Sequence, residues 1–152
     1  MRYSIDTNIF AYLADERDLN KQSIARDLVE TLLERDAWIG LQVVGELQNV
    51  LLRRFKKTIS EASATASFVL GAFPSFAYDE DDVSRALSAF AGGRFSYWDA
   101  LLLSAAARAG CGVLFTEDMQ DGGRFDDVLI INPFAPDGGL SARGRELLEL
   151  AN

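Results

Sequence analysis

The sequence predicts an α/β protein with an α/β/α layer order, in which helices cover both faces of a central, mostly parallel sheet of about five strands. Short apolar segments alternate with longer segments of helical periodicity, which is typical of parallel strands joined by crossover helices. The chain has 152 residues, of which 49% are apolar and 25% charged. These values suit a single domain over residues 1–152 with a sizeable core.

Five short apolar segments fit buried strands, because each is too short for a stable helix and is bounded by polar or glycine-containing stretches. In parallel sheets, functional side chains gather at the carboxyl ends of the strands, so the residues that follow these segments are the first candidates for a site. The predicted strands are RYSI (2–5), AWIG (37–40), FAY (76–78), GVLFT (112–116) and VLII (128–131).

Longer segments with apolar residues at helical spacing occupy most of the remaining chain. They come in pairs after the first, second and third predicted strands, and one more follows the last strand. The predicted helices are FAYLAD (10–15), KQSIARDLVETLLER (21–35), VVGELQNVLLRRF (43–55), EASATASFVLGAF (61–73), EDDVSRALSAF (80–90), YWDALLLSAAARA (97–109) and SARGRELLELA (141–151).

The lack of histidine restricts the chemistry that the chain can perform. With 0 histidines, the sequence excludes Ser-His-Asp and Cys-His nucleophile systems and the usual zinc ligands. The single cysteine, Cys111, has no partner for an internal disulfide and is expected in the core beside the fourth strand. Hydrolysis by this protein would therefore use carboxylates, hydroxyls, amines or a hard metal ion.

The chain is acidic, with a formal net charge of −8 at pH 7 and an isoelectric point near 4.5. Phosphate backbones repel such a chain, so indiscriminate binding of nucleic acid is not expected. The same carboxylates can serve to hold cations. No apolar run approaches the ~18 residues of a membrane span and no secretory signal opens the sequence, which leads us to expect a cytoplasmic protein with no membrane contact.

Four acidic residues are expected at one edge of the sheet. Asp6 directly follows the first strand, Glu46 lies early in the helix after the second strand, and Asp118 follows the fourth strand. Asp99 begins the helix that leads into the fourth strand through the short connection AGCG. A short connection makes this helix antiparallel to the strand, so its N-terminus returns to the strand's carboxyl edge.

Each of these acids also has a local explanation. Asp6 suits a helix N-cap, Glu46 suits a helix dipole, and Asp118 suits a turn before glycine. Asp99 follows Ser96 at the spacing of a capping box. Four clustered carboxylates would nevertheless repel one another unless a proton or a cation neutralised them, and oxygen ligands without histidine or cysteine suit Mg²⁺ or Mn²⁺. The cluster therefore predicts a metal site.

Three segments resemble the PIN domain, specifically the VapC-type ribonuclease toxins of toxin–antitoxin pairs. They are IDTNIFAYL, GLQVVGELQNVL and SYWDALLLSAAARAGCGVLFTEDMQDG. The resemblance covers residues 2 to about 134 and leaves the predicted C-terminal helix, 141–151, as an extension. The order of acids in that family, Asp, Glu, Asp and Asp, corresponds in this sequence to Asp6, Glu46, Asp99 and Asp118.

The resemblance implies a PIN-like fold and a ribonuclease in which these four acids hold Mg²⁺ or Mn²⁺. It implies that water rather than a protein nucleophile attacks the phosphodiester, which leaves a 5′-phosphate and a 3′-hydroxyl. The substrates implied are structured RNAs of translation, such as tRNA or rRNA. The resemblance also implies a homodimer and inhibition by a small antitoxin protein whose tail enters the active site.

The resemblance further assigns supporting roles to polar neighbours of the acids. Asn8 and Thr116 correspond to residues that orient the acids and the water, although capping and strand propensity explain them equally well. Glu117 adjoins Asp118 and could share or take its role. A serine or threonine often precedes the glutamate-bearing helix in the family, whereas this chain has Gly40-Leu41-Gln42 there.

The basic cluster RRFKK is the best candidate for contacts to RNA, because its cations could bind substrate phosphates. An equally good explanation is that these cations offset the dipole at a helix C-terminus. Beside Asp99, the aromatic residues Tyr97 and Trp98 fit packing in the core or at its rim, with stacking on a base as the alternative. The basic residues of the cluster are Arg53, Arg54, Lys56 and Lys57.

Two other functions remain open at this point. An aspartate-based phosphatase or phosphoryl-transfer domain also places an aspartate after a strand, but the phosphatase requires a second acid where this chain has Asn8. A receiver domain requires paired acids and a late lysine, whereas the only lysines are Lys21, Lys56 and Lys57. A non-catalytic protein-binding module with the PIN fold has no need of acids at all four positions, so we favour the ribonuclease.

Overall fold

Six strands form one sheet in the computed structural model, which describes residues 1–149. They are β1 (Arg2–Ile5), β2 (Ala37–Gly40), β3 (Ser75–Phe76), β4 (Cys111–Phe115), β5 (Arg124–Phe125) and β6 (Val128–Ile131). Their order across the sheet is β3-β2-β1-β4-β6-β5. All neighbouring strands are parallel except β5 and β6, which are antiparallel. This arrangement confirms the predicted mostly parallel sheet.

The helices of residues 1–149 alternate with the strands and confirm the predicted α/β/α layers. In helix α6, every residue from Ala100 to Ala106 is buried, which explains why this part of its sequence is almost wholly apolar. The helices are α1 (Thr7–Tyr12), α2 (Leu19–Leu33), α3 (Leu41–Arg53), α4 (Ile59–Ala72), α5 (Glu80–Ala91), α6 (Tyr97–Arg108) and α7 (Ala142–Glu149).

Most elements lie within three residues of their predicted bounds, and the main differences concern the first helix and two short strands. The first helix begins at Thr7 rather than at residue 10, because Asp6 caps its N-terminus. The third strand, predicted over 76–78, is only Ser75–Phe76. Strand β5, Arg124–Phe125, was not predicted, since two residues carry no detectable periodicity. The last two residues of the predicted helix 141–151 lie outside the described residues.

A tight turn after α6 positions its N-terminus at the functional edge of the sheet. Gly110 has φ +79°, a left-handed conformation that glycine adopts without strain, and it connects α6 directly to β4. The helix therefore runs antiparallel to β4, which pairs with the central strand β1 in parallel. As predicted, the first turn of α6 thereby reaches the carboxyl ends of β1 and β4.

Cys111 is buried at the start of β4, and burial raises the pKa of its thiol to about 11. A thiol in such surroundings is protonated and unreactive at neutral pH, which confirms Cys111 as a core residue. Within residues 1–149, no helix combines the length and the apolar character needed to cross a membrane.

Candidate active site

The four predicted acids line one cavity of about 260 Å³ at the carboxyl edge of the sheet. They reach it from four different segments of the chain: the end of β1, helix α3, the first turn of α6 and the loop after β4. Their negative charges act on one another: the other acids contribute to the raised pKa values of Asp6 and Asp99, to which burial contributes most. The acids are Asp6, Glu46, Asp99 and Asp118.

Asp6 is the most buried of the four, with an exposed fraction of 6%. Its Oδ1 accepts a 2.7 Å hydrogen bond from the amide of Thr7, and its Oδ2 accepts a 2.7 Å hydrogen bond from Oγ1 of Thr116. Burial raises the pKa of Asp6 to about 6 despite these two hydrogen bonds, and the charges of Glu46 and Asp99 add to the increase. The site therefore disfavours negative charge at Asp6 when no cation is bound.

Asp99 both takes part in the N-terminal cap of α6 and lines the acidic cavity. Its amide donates a 3.2 Å hydrogen bond to Oγ of Ser96, the N-cap residue of α6. Helices α4 and α5 have both hydrogen bonds of a capping box, whereas Ser96 supplies only the first half of one to α6 within the described residues. Burial raises the pKa of Asp99, the Ser96 hydroxyl opposes this, and the charges of Asp118 and Glu46 raise it further.

Glu46 is held by two residues that the sequence did not single out for this task. Oγ1 of Thr7 donates to its Oε2 and Nε2 of Gln42 donates to its Oε1, both at 2.9 Å. Gln42 also donates a 3.1 Å hydrogen bond to the carbonyl of Trp98, which ties α3 to α6. Gln42 precedes Glu46 by one helical turn, a spacing that could have revealed this contact.

Asn8 and Thr116 connect Asp6 with Asp118. The side-chain amide of Asn8 donates to Oδ2 of Asp118 at 2.8 Å and, at longer distances, to Oγ1 of Thr116 and Oδ2 of Asp6, 3.3 and 3.5 Å away. The backbone amide of Asp118 donates to Oγ1 of Thr116 at 3.2 Å. Both side chains thus lie where the predicted supporting roles require them.

The carboxylate of Glu117 is engaged outside the acidic cavity. Both of its oxygens lie 2.9 Å from Nζ of Lys21, and the hydroxyl of Tyr12 donates to Oε1 at 2.9 Å. Its backbone amide donates to Oδ1 of Asn8 at 3.2 Å. The structure therefore brings the Glu117 backbone, but not its carboxylate, to the site that Asp118 lines.

The donor chemistry of the cavity fits a hard divalent cation. All four acids offer oxygen ligands, and a cation would stabilise the charged carboxylates of Asp6 and Asp99, whose pKa values are raised by burial and, to a smaller extent, by the neighbouring acids. In the part of the chain described, no three acidic or cysteine side chains form a ready-made metal cage. Mg²⁺ does not require one, because it usually binds through one or two carboxylates and keeps several water molecules.

Most of the predicted basic cluster lies beside the acids. Arg54 lines the acidic cavity and also a neighbouring cavity of about 300 Å³ that Lys56 and Lys57 share. Arg53 is exposed at the last position of α3 and lines neither of these two cavities. The aromatic residues differ: Trp98 is 57% exposed, whereas Tyr97 packs against the core.

The PIN domain model matches residues 3–127. One similar solved structure is VapC20 of Mycobacterium tuberculosis, a sarcin–ricin loop cleaving toxin, with 17% identity, a TM-score of 0.62, and 76% of this chain and 89% of that chain covered. Another is VapBC2 of Rickettsia felis bound to promoter DNA, with 17% identity, a TM-score of 0.63, and 86% of this chain and 97% of that chain covered. A third is DNA-bound VapBC of Salmonella typhimurium, with 16% identity, a TM-score of 0.62, and 86% of this chain and 96% of that chain covered. No curated protein matches the chain significantly.

The structural similarities at these low identities establish a shared fold. The family model covers most of the chain, from β1 to the turn between β5 and β6, and includes all four acids of the cavity. This chain belongs to the PIN domain family.

Proposed function

We propose that this protein is a divalent-metal-dependent ribonuclease and the toxin of a toxin–antitoxin pair, with the whole chain acting as one domain. The convergence of four carboxylates on one cavity, with the pKa of the most buried acid raised to about 6, carries this proposal. A cation would offset both the burial of this carboxylate and its repulsion by the neighbouring acids. The family membership disfavours the aspartate-based phosphatase, and the complete set of acids disfavours a non-catalytic module.

Asp6, Glu46, Asp99 and Asp118 would hold Mg²⁺ or Mn²⁺, directly or through water. When bound, such a cation lowers the pKa of coordinated water and stabilises charge on the phosphate oxygens. The chain itself would fix the geometry of the ligands: Thr116 orients Asp6, and the remaining hydrogen bonds orient the other acids. Hydrolysis adds water across the P–O3′ bond and leaves a 5′-phosphate on one fragment and a 3′-hydroxyl on the other.

The hydrogen bonds around the acids support a preorganised site. Thr7 and Gln42 together satisfy both oxygens of Glu46, and Asn8 holds one oxygen of Asp118. Ligands fixed in this way do not have to reorganise during the reaction, which is a main source of catalytic power. These three polar residues would therefore act as positioning residues for the metal ligands.

RNA of translation, either rRNA or tRNA, is the substrate class we propose. The similarity to a toxin that cleaves the sarcin–ricin loop supports this class. An acidic chain requires local cations to hold RNA, and Arg54, Lys56 and Lys57 line a cavity next to the acids. Arg53 completes this proposed contact surface at the end of α3. Because these RNAs are cytoplasmic, we place the protein's action in the cytoplasm.

An antitoxin protein and a second copy of the chain are the protein partners we propose. Structures of toxin–antitoxin complexes are among the similar folds, which supports the antitoxin. Large apolar side chains exposed on α4 and α5 offer surface for protein contacts. They include Phe68, Leu70, Leu87 and Phe90.

Cleavage of total RNA by the purified protein tests the proposed function. We expect cleavage with Mg²⁺ or Mn²⁺, no cleavage with EDTA, and none by the Asp6→Asn variant. Sequencing of new 5′-phosphate ends after induced expression would identify the substrate. If no RNA from the host transcriptome were cleaved with either metal, the protein would instead be a binding module with the PIN fold.

A further inference from the structure

A second cavity, of about 430 Å³, adjoins the acidic one and shares no lining residue with the cavity of the basic cluster. The two cavities share Asp99 and Asp118, so a molecule at the acids has direct access to both. Arg94 and Arg124 also line this second cavity. Arg54 therefore lines the cavity of the acids, and two further arginines line the adjoining one.

Arg94 is held in an exposed position without a carboxylate partner. It follows α5, and its guanidinium lies 5.7 Å from the ring centre of Phe95 and 6.0 Å from that of Phe125. Arg85, which lies over the same Phe125 ring, forms an ion pair with Asp126. No ion pair joins Arg94 to an acidic residue anywhere in residues 1–149. Its charge is thus available to a ligand.

Arg124 occupies a fixed backbone position on the edge strand β5. It pairs in register with Leu129 of β6, and its side chain is exposed. Within the described chain it likewise has no ion-pair partner. Asp121, three residues earlier, already pairs with Arg143. The fold therefore leaves two uncompensated guanidinium groups at the second cavity of an otherwise acidic protein.

Guanidinium groups bind phosphate through paired, charge-assisted hydrogen bonds. In an RNA strand, phosphates flank the scissile one on both sides, so a neighbouring phosphate could reach these guanidinium groups. A cation bound at the acids would offset the repulsion from Asp99 and Asp118, which line the same cavity. We propose that Arg94 and Arg124 bind RNA phosphates on the side of the scissile bond opposite Arg54. The substrate strand then crosses the acids from the cavity that Arg54 shares with the basic cluster to the cavity that Arg94 and Arg124 line. This inference rests on the proposed ribonuclease function.

Binding of a fluorescein-labelled oligo(U) of about 12 nucleotides, in Mg²⁺ and over a range of KCl concentrations, tests this path. The Asp6→Asn background prevents cleavage during the measurement. We expect Arg94→Gln and Arg124→Gln each to weaken binding about five- to tenfold near ~50 mM KCl and to reduce the salt slope by about 0.7. Arg94→Lys should retain most of the salt slope, because it keeps the charge.

Arg26→Gln is the matched control, since Arg26 is exposed on α2 and lines none of the three cavities. In the cleavage-competent protein, Arg94→Gln and Arg124→Gln should raise KM and change kcat less than about twofold, because they remove uniform binding. If both variants bound oligo(U) with the affinity and salt slope of their Asp6→Asn parent while the wild type cleaved RNA, the strand path would be contradicted and the ribonuclease function would stand. Absence of oligo(U) binding by the Asp6→Asn parent, together with absence of RNA cleavage by the wild type, would contradict both the strand path and the ribonuclease function.

Discussion

The side-chain amide of Asn8 donates a 2.8 Å hydrogen bond to Oδ2 of Asp118 and thereby joins the start of α1 to the loop after β4. These residues are far apart in sequence, and the contact fixes an exposed acid that has no other side-chain donor among residues 1–149. The orientation of Asp118 therefore depends on Asn8, which makes Asn8 the most informative of the supporting residues.

Replacement of Asn8 by alanine should weaken Mn²⁺ binding and reduce kcat/KM about 10- to 100-fold, the usual range for residues that orient metal ligands. Asn49→Ala is the control, because Asn49 lines the same cavity and is exposed. Calorimetric titration with Mn²⁺ and initial rates of RNA cleavage would measure the two effects. Equal behaviour of the two variants would show that Asn8 does not position Asp118.

The buried carboxyl group of Asp6 predicts how the stability of the metal-free protein varies with pH. Its pKa is about 6 in the folded protein against 3.8 as the reference value, so the folded state binds the proton more tightly. The free energy of unfolding should therefore rise as pH falls through 6 and level off below about 4. The full difference corresponds to about 2–3 kcal/mol. Urea denaturation at several pH values in EDTA would measure it.

The Asp6→Asn variant should lose most of this rise and should unfold at higher urea concentration than the wild type at pH 7. The pKa of Asp15 is lowered by its hydrogen bond and ion pair with Arg17. Protonation of Asp15 therefore reduces the free energy of unfolding, but only at more acidic pH than the rise caused by Asp6. A wild-type stability that falls steadily from pH 7 to pH 5 would contradict the raised pKa of Asp6.

Asp99→Asn and Ser96→Ala separate the cap of α6 from the metal site. Asp99→Asn should leave the metal-free protein as stable as the wild type or more stable, because it removes one of the repelling charges, and it should abolish cleavage and reduce the stabilisation by Mn²⁺. Ser96→Ala should instead lose about 1 kcal/mol of stability and keep its response to metal. Thermal melts with and without Mn²⁺ would compare them. A full metal response and wild-type cleavage in Asp99→Asn would assign Asp99 to the cap alone.

Glu117 and Asp118 are adjacent acids, and the structure predicts opposite consequences of neutralising them. Glu117→Gln weakens a half-buried ion pair with Lys21, so we expect a loss of at most about 1 kcal/mol and cleavage within a few-fold of wild type. Asp118→Asn should abolish cleavage. Stability curves and cleavage rates of both variants provide the test. A loss of activity in Glu117→Gln would mean that the Glu117 carboxylate acts in the acidic cavity.

The sequence was sufficient to predict the layers of the fold and the placement of the four acids at one edge, because both follow from the alternation of strands with helices and from short connections. Asp99 is the clearest example: its place at the carboxyl edge follows from the turn at Gly110. Strand β5 could not be predicted from the sequence, because two residues have no periodicity and form a strand only by pairing with β6.

Contacts made across the fold were the other features that the sequence could not supply. Arg94 and Arg124 meet at one cavity only because the loop after α5 and the edge strand lie side by side. The ion pair of Glu117 with Lys21 likewise depends on how α2 packs. In contrast, the contact of Gln42 with Glu46 lies within one helix, and its spacing was a signal that could have been used.

We propose that the four carboxylates of this cavity together bind a divalent cation. Titration of the protein with Mn²⁺, followed by the electron paramagnetic resonance signal of the free ion, tests it most directly. We predict binding by the wild type, and at least about tenfold weaker binding after Asp6→Asn, Glu46→Gln, Asp99→Asn or Asp118→Asn. Glu30→Gln, an exposed acid on α2, should bind like the wild type. Equal Mn²⁺ affinity in the wild type and all four site variants would contradict the account.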